Sequence, residues 1–413
     1  MSKNQFNKKN LFTICLIYLS SLVVSVNTGQ SLTKLGELSA RIDSIVSTVQ
    51  CNISVQVASA NKYDLLYEHN PQLKMIPASI TKLVTASTAI DVLGINYEFK
   101  TEASTDDNDF KDGIINGNLY LKGYGDPDLN SGDIGYLAKL ISERNITTIT
   151  GNIIYDESYF DDQHYGIANY YSGDTHQNYW PYISAINLNK NGGGYDPASS
   201  AANLLLENLA SLNVRVDGIV VSGVTPSASR EIAYVSHSLF EVLARMNKES
   251  DNHSAITVFK VIGAKYDSPP GSISKGESAV VDFLTSIGNP RNIFEILEGS
   301  GLSRFNVVNS DLYVRLLKYM YDDVKTFDTF YSSLAIAGKD GTLRNRMIGT
   351  EAENNIHGKT GTLNSVSSLA GYAVTRDHEL LIFYIDMNGF GSSANSIRYK
   401  QDQICEVLCQ FSR

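Results

Sequence analysis

The sequence predicts an α+β fold with a smaller α/β segment inserted into it, on three observations. Strand-like stretches lie near both ends of the chain, at 52–58 and 63–67 and again at 365–374 and 379–387. Helical periods dominate between residues 238 and 320. Over 96–235 the texture changes to short strands mixed with glycine, asparagine and tyrosine, with helices near Tyr136 and Leu204.

At the N-terminus, Lys3, Lys8 and Lys9 precede an apolar run from 11 to 26, about the length of a secretory h-region and short for a spanning helix. Residues 1–26 are therefore expected to be a signal peptide. No clean A-x-A-like cleavage site follows, so a retained anchor stays open. Leu32, Leu35, Leu38, Ile42, Ile45 and Val49 then recur at helical spacing before the first strand pair. A helix over 79–93 follows, with Pro77 just ahead of it and Gly94 where a glycine ends it. Past the 96–235 segment, helices are expected at 238–248, 253–263, 277–287 and 310–320, and a last one at 395–411.

Composition narrows the function classes. The chain has 413 residues, 43% hydrophobic and 19% charged, with a formal net charge of −10. Loss of the three leader lysines takes it to −13, which disfavours nucleic acid or an anionic membrane as a partner. Outside the leader, Cys51, Cys405 and Cys409 make an odd set: one bridge plus a free thiol, or three small buried residues. No Cys/His spacing suits zinc, and no metal or organic cofactor is expected.

Three short motifs carry chemistry. In Ser79-Ile80-Thr81-Lys82, residues i and i+3 share a helix face, so a neutral Lys82 amine can take the Ser79 proton. The spacing recurs at Ser31/Lys34 and Ser272/Lys275, but Ser79 begins a buried-looking helix, where backbone N–H groups favour negative charge on a reacting oxygen. Ser250-Asp251-Asn252 lies between two helices, where a loop aims a hydroxyl and an amide into a cleft or caps the next helix. Lys359-Thr360-Gly361-Thr362 places a lysine and a hydroxyl at the start of a strand, suited to a carboxylate, with a glycine that lets a ligand approach the backbone.

In this order S-x-x-K, S-D-N and K-T-G form the set of class A β-lactamases and penicillin-binding proteins. The surrounding stretches Pro77-Ala78-Ser79-Ile80-Thr81-Lys82, Gly123-Tyr124-Gly125-Asp126-Pro127-Asp128-Leu129 and Gly299-Ser300-Gly301-Leu302-Ser303-Arg304 resemble D-alanyl-D-alanine carboxypeptidases of the penicillin-binding protein 4 type. So do Ala337-Gly338-Lys339-Asp340-Gly341-Thr342-Leu343 and His357-Gly358-Lys359-Thr360-Gly361-Thr362-Leu363. The resemblance runs from about residue 40 to the end. The 168 positions between Lys82 and Ser250 agree with a family that carries inserted domains, and exceed the segment of a compact β-lactamase. Two departures are a second, smaller insertion lost or vestigial between 187 and 201, and Glu298 where an aspartate is common.

The resemblance implies a penicillin-binding, β-lactamase-like transpeptidase fold, an antiparallel sheet flanked by helices. Residues 31–95 and 236–413 would form the catalytic domain and 96–235 the inserted one. It implies Ser79 as nucleophile, Lys82 as base with Lys359 lowering its pKa, Ser250 as proton relay, and Asn252 holding the substrate amide. Thr360 and Lys359 would bind a terminal carboxylate, and the N–H groups of Ser79 and Thr362, around Gly361, would form the oxyanion hole. Asp126 faces substrate or builds a turn; Arg344, Arg346, Tyr124, Tyr179 and Trp180 are secondary candidates. The implied partners are peptidoglycan peptides ending in D-Ala-D-Ala and β-lactam antibiotics, with oligomeric state open. The implied place is exported, periplasmic or associated with the cell envelope. The implied activity is D-Ala-D-Ala carboxypeptidase or DD-endopeptidase; a catalytically silent sensor and a β-lactamase are the alternatives.

Overall fold

The structure is a computed structural model that describes residues 33–62, 64–165, 181–192 and 196–413. The leader, Ser31, Tyr179 and Trp180 lie outside the described residues. Helix α1 (33–46) leads into the antiparallel pair β1 (Asn52–Ser59) and β2 (Leu65–His69), and a 3-10 turn at Ala78–Ile80 opens α2 (Thr81–Leu93). The chain next builds β3 (Glu98–Thr105), β4 (Ile114–Ile115), β5 (Leu119–Gly123), α3 (Ser131–Ser142), β6 (Thr148–Ile149) and β7 (Ile153–Asp156). After these come α4 (Pro197–Ser211), β8 (Arg215–Val216), β9 (Val220–Ser222) and β10 (Arg230–Ser238). Helices α5 (Leu239–Lys248), α6 (Asn252–Tyr266) and α7 (Ile273–Ser286), the short pair β11 (Phe294–Glu295) and β12 (Val307–Val308), α8 (Ser310–Asp322) and α9 (Phe327–Ser332) follow. The chain closes with β13 (Ala335–Ile336), β14 (Ile356–Leu363), β15 (Val366–Val374), β16 (Leu380–Asn388) and α10 (Ala394–Gln410).

Six of these strands make one antiparallel sheet in the order β13-β14-β15-β16-β1-β2. Its first and last strands in sequence are neighbours: Asn52 pairs with Asn388 and Ser59 with Leu381. Both faces are covered, which explains why β15 and β16 read as nearly continuous apolar runs. In β16, Leu381, Phe383, Ile385 and Met387 pack with α1 and α10, while Ile382 and Tyr384 turn toward α2 and α5–α8. The α+β fold with helices on both sides of an antiparallel sheet is thus as expected.

Residues 98–238 form a second, five-stranded sheet in the order β10-β3-β5-β7-β9, antiparallel on one side and parallel on the other, beside a small parallel ribbon of β4, β6 and β8. Helices α3 and α4 share a third apolar cluster with it, built on Leu121, Leu137, Ile153 and Leu205. Between Leu188 and Pro197 the described chain holds only a 3-10 turn, Asn189–Asn191.

Helix α2 explains how Ser79 is reached. Every residue from Thr81 to Ile90 is buried, so this helix has no polar face, and its hydroxyls are satisfied internally. Ser87 and Thr88 donate to the carbonyls of Leu83 and Val84, four residues back, at 2.9 Å each. The helix proper starts at Thr81, so Ser79 sits in the 3-10 turn before it rather than on its first turn. No helix among the described residues is long and apolar enough to cross a membrane.

Candidate active site

Four distant pieces of chain meet at Ser79. Its turn is held under tension: Ala78 has φ 49°, a left-handed conformation that costs a side-chain-bearing residue about 1–3 kcal/mol. The surroundings fix it there. Ser368 Oγ donates to the Pro77 carbonyl at 2.6 Å, the Asn388 Oδ1 accepts from Ile76 N at 2.8 Å, and Thr81 Oγ1 donates to the Ala78 carbonyl at 2.8 Å. Gly301, at φ 80°, fits against the same carbonyl, where a Cβ would stand 1.9 Å from it.

Lys82 is fully buried, and its Nζ has three neighbours: Ser79 Oγ at 3.1 Å, Asn252 Oδ1 at 2.8 Å and the Ser300 carbonyl at 2.6 Å. A neutral amine has two N–H bonds and one lone pair. The amide and carbonyl oxygens take the two hydrogens, which turns the lone pair toward the Ser79 hydroxyl. Burial lowers the Lys82 pKa to about 7, opposed in part by the Glu298 charge.

Ser300 is placed by Glu298. The buried carboxylate accepts from Ser300 N at 2.6 Å, Ser300 Oγ at 2.5 Å, Gly301 N at 2.7 Å and Ser303 N at 3.2 Å. With Asn306 Nδ2, which donates to the same carboxylate at 3.2 Å, five donors on one charge make a rigid loop. Thr85 Oγ1 ties the same loop to α2 through the Gly299 carbonyl, 2.7 Å away.

Ser250 and Asn252 arrive between α5 and α6. Ser250 has φ 59°, and Asp251 caps α6 by accepting from Ser254 N at 3.0 Å. The capping reading of this loop therefore holds for Asp251, while its two neighbours turn inward. Ser250 Oγ accepts from Lys359 Nζ at 2.8 Å, and the same amine reaches the Thr360 carbonyl at 2.8 Å.

Lys359 and Gly361 differ from the sequence reading in setting. Lys359 lies in the middle of β14, fully buried, and its amine is taken up by Ser250 and the Thr360 carbonyl. Burial first, and the Lys82 charge second, push its pKa well below the usual lysine value. For Lys82 it is burial, rather than the expected charge of Lys359, that leads. The space left by Gly361 is filled by protein: a Cβ there would meet Ser368 Oγ at 2.1 Å, the Pro77 carbonyl at 2.6 Å and Ser79 N at 3.0 Å. The glycine lets β14 press against the Ser79 turn.

Thr360 and Thr362 alternate on one face of β14. Thr360 Oγ1 shares a hydrogen bond with Thr342 Oγ1 at 2.8 Å, a contact in which either hydroxyl can donate. With Ser79 and Ser250 these three threonines line a cleft of about 640 Å³, together with Asn345, Arg346, Asn395, Arg398, Tyr399 and Asp402.

Asp126 is a correction. It is fully buried outside this cleft; its Oδ1 accepts from Asp128 N at 3.0 Å, the turn reading, and its Oδ2 pairs with His237 Nδ1 at 2.8 Å. Tyr124 packs edge-on against Tyr159 at 5.2 Å, and Arg344 pairs with Glu249. Ser272 caps α7 and Lys275 bonds the Asp267 and Ser268 carbonyls, so that repeat of the spacing is structural. The three cysteines are free thiols gathered at the α1/α10 side of the sheet.

The sequence profile of the D-Ala-D-Ala carboxypeptidase 3 (S13) family matches residues 38–193 and 194–410. The chain belongs to this family. As an S13 member it is a serine-type D-Ala-D-Ala carboxypeptidase, as the motifs implied. It is 26% identical to the D-alanyl-D-alanine carboxypeptidase of Actinomadura sp. (strain R39), over 92% of this chain and 86% of that one. It is 24% identical to D-alanyl-D-alanine carboxypeptidase DacB of Haemophilus influenzae, over 88% and 90%. Its fold is similar to penicillin binding protein 4 (dacB) from Haemophilus influenzae, with a TM-score of 0.75, 22% identity, and 88% of this chain and 97% of the other covered. That protein is also known in complex with a β-lactam.

Several residues of this S13 site escaped the sequence reading. Thr342 lay inside a stretch already matched to the family, and Glu298 had been noted only as a departure. Asn388, Ser368 and Arg398 sit in no motif, and their roles come from strand pairing and helix docking that no local pattern announces.

Proposed function

We propose that this enzyme removes the terminal D-alanine from peptidoglycan stem peptides through an acyl-enzyme on Ser79. The observation that carries the assignment is the environment of Lys82, whose two hydrogens are taken by Asn252 and Ser300 and whose lone pair is left facing Ser79 Oγ. Ser79 Oγ attacks the carbonyl of the penultimate D-alanine and its proton passes to Lys82 Nζ. The oxyanion rests on the N–H groups of Ser79 and Thr362, brought close by Gly361. Ser250, hydrogen-bonded to Lys359, hands a proton to the departing amine, D-alanine leaves, and water then hydrolyses the ester. Asn252 also holds the substrate amide, and the Thr360 hydroxyl binds the carboxylate, with the buried Lys359 amine held behind Ser250.

Residues 96–235 are proposed to act as an inserted domain between two halves of the catalytic domain, and residues 1–26 as the leader of an exported, periplasmic or envelope-associated protein. Cutting a D-alanyl cross-link uses the same atoms, with a larger amine leaving.

The test is intact-mass measurement of wild type and Ser79→Ala after incubation with a penicillin, followed by assay of D-alanine release from a pentapeptide. A stable adduct on the wild type alone, with D-alanine released, is the expected result. An adduct without D-alanine release points to a sensor and rapid hydrolysis of the drug to a β-lactamase; an unlabelled wild type removes Ser79 as nucleophile.

A further inference from the structure

A carboxylate bound in the cleft needs a cation that reaches it, and the two lysines of the site do not open onto it. Lys82 and Lys359 are fully buried and have their donors placed on protein atoms. Among the charged residues that line the cleft, Arg346 and Asp402 neutralise each other at 2.7 Å. Arg398 is different. It stands in the second turn of α10, half-buried, and makes no ion pair among the described residues. Its guanidinium donates to two neutral oxygens, Asn395 Oδ1 and Thr362 Oγ1, both at 3.2 Å. Five N–H bonds serve two acceptors, so donors remain for a ligand.

The contact with Thr362 also sets a hydroxyl direction. With its oxygen accepting from Arg398, the Thr362 O–H is left to donate into the cleft, beside the Thr360 hydroxyl on the same face of β14. The Arg398 guanidinium and the Thr362 and Thr360 hydroxyls therefore line the same cleft as Ser79 and Ser250, with guanidinium and Thr362 hydroxyl in direct contact. A planar carboxylate matches this geometry, since it accepts two parallel N–H bonds from a guanidinium.

We propose that Arg398 is a specificity-determining residue that binds the free carboxylate of the leaving D-amino acid, together with Thr360 and Thr362. This rests on the function proposed above and adds to it the group that selects substrates with an unblocked C-terminus. The C-terminal helix thereby becomes part of the substrate site.

The experiment compares wild type, Arg398→Gln and Arg398→Lys on an acyl-D-Ala-D-Ala peptide and on its C-terminal amide. Penicillin and its methyl ester serve as a second matched pair for acylation. Loss of a charge-assisted hydrogen bond should lower kcat/KM of Arg398→Gln for the free acid roughly ten- to a hundredfold, mainly through KM. The ratio of acid to amide should shrink accordingly, and Arg398→Lys should restore part of it. An Arg398→Gln enzyme that keeps the wild-type ratio, or that loses both substrates of a pair equally, overturns the proposal while the acyl-enzyme reading stands. A wild type that neither penicillin acylates overturns both.

Discussion

Bringing the Lys82 amine down to about 7 by burial means that the fraction able to accept the Ser79 proton changes steeply in the neutral range. Below that value the protonated amine has no lone pair for Ser79, so acylation by a penicillin should fall about tenfold per pH unit as pH drops, and level off above it. The Glu298 charge holds the amine higher than burial alone would. Glu298→Gln should therefore move the rising limb to lower pH. It also leaves N–H groups of the 300–303 loop facing an amide, at a stability cost of about 1–3 kcal/mol. Acylation rate constants measured against pH for both proteins check this; a flat profile in the wild type, or a limb that Glu298→Gln leaves in place, counts against Lys82 as the base.

Elements transmit as much as side chains do. The Ser79 turn is clamped between α2, the Glu298 loop and β14, and Gly361 is where strand and turn touch. Gly361→Ala has to push apart Ser368, Pro77 and Ser79, which costs about 1–3 kcal/mol as overpacking. Its acylation rate should fall further than its melting temperature suggests, because the shift falls on Ser79 N itself; paired acylation and thermal-melt measurements on that variant show whether it does. The meeting of Ser79, Lys82, Ser250, Asn252 and Lys359 was legible because all five fall in three short motifs of fixed local spacing. Strands β15 and β16 and most helices were legible through burial periodicity. The 3-10 turn at Ala78–Ile80 was hidden, since Pro77 and the apolar pattern fit an α-helix equally well. Asp126 was ambiguous for a similar reason: its turn chemistry is visible locally, but its partner His237 stands 111 positions away in the chain.

At the scale of the molecule, the 187–191 turn is tied to the 250–253 loop by side chains. Lys190 pairs with Asp251, and Asn187 Oδ1 lies 3.1 Å from His253 Nε2 while accepting from Asn191 Nδ2 at 2.8 Å, immediately beside Asn252. Titration of the whole fold follows from such pairs. The hydrogen bond to Asp126 raises His237 to about 9, so its stabilisation is complete below pH 6.5 and is lost as pH rises through about 9. Burial pushes the Asp126 carboxyl up, which offsets part of that gain. His253 has the opposite sign: burial lowers it to about 3, so it withdraws stability as pH falls below 6.5. Thermal melts of wild type and His237→Gln between these limits should converge as pH rises; curves that stay parallel remove the pair as a source of stability.

The pairing of β1 with β16 also has a meaning in time. Residues leave the ribosome in order, so Ser79 and the first strands exist long before Asn388 can close against Asn52. Until then β1 lacks one neighbour, β14 is missing, and no Lys359 stands behind Ser250. A fold whose Ser79 turn is made early and whose closing strand is made late can bring Lys359 behind Ser250 only once nearly the whole chain is available.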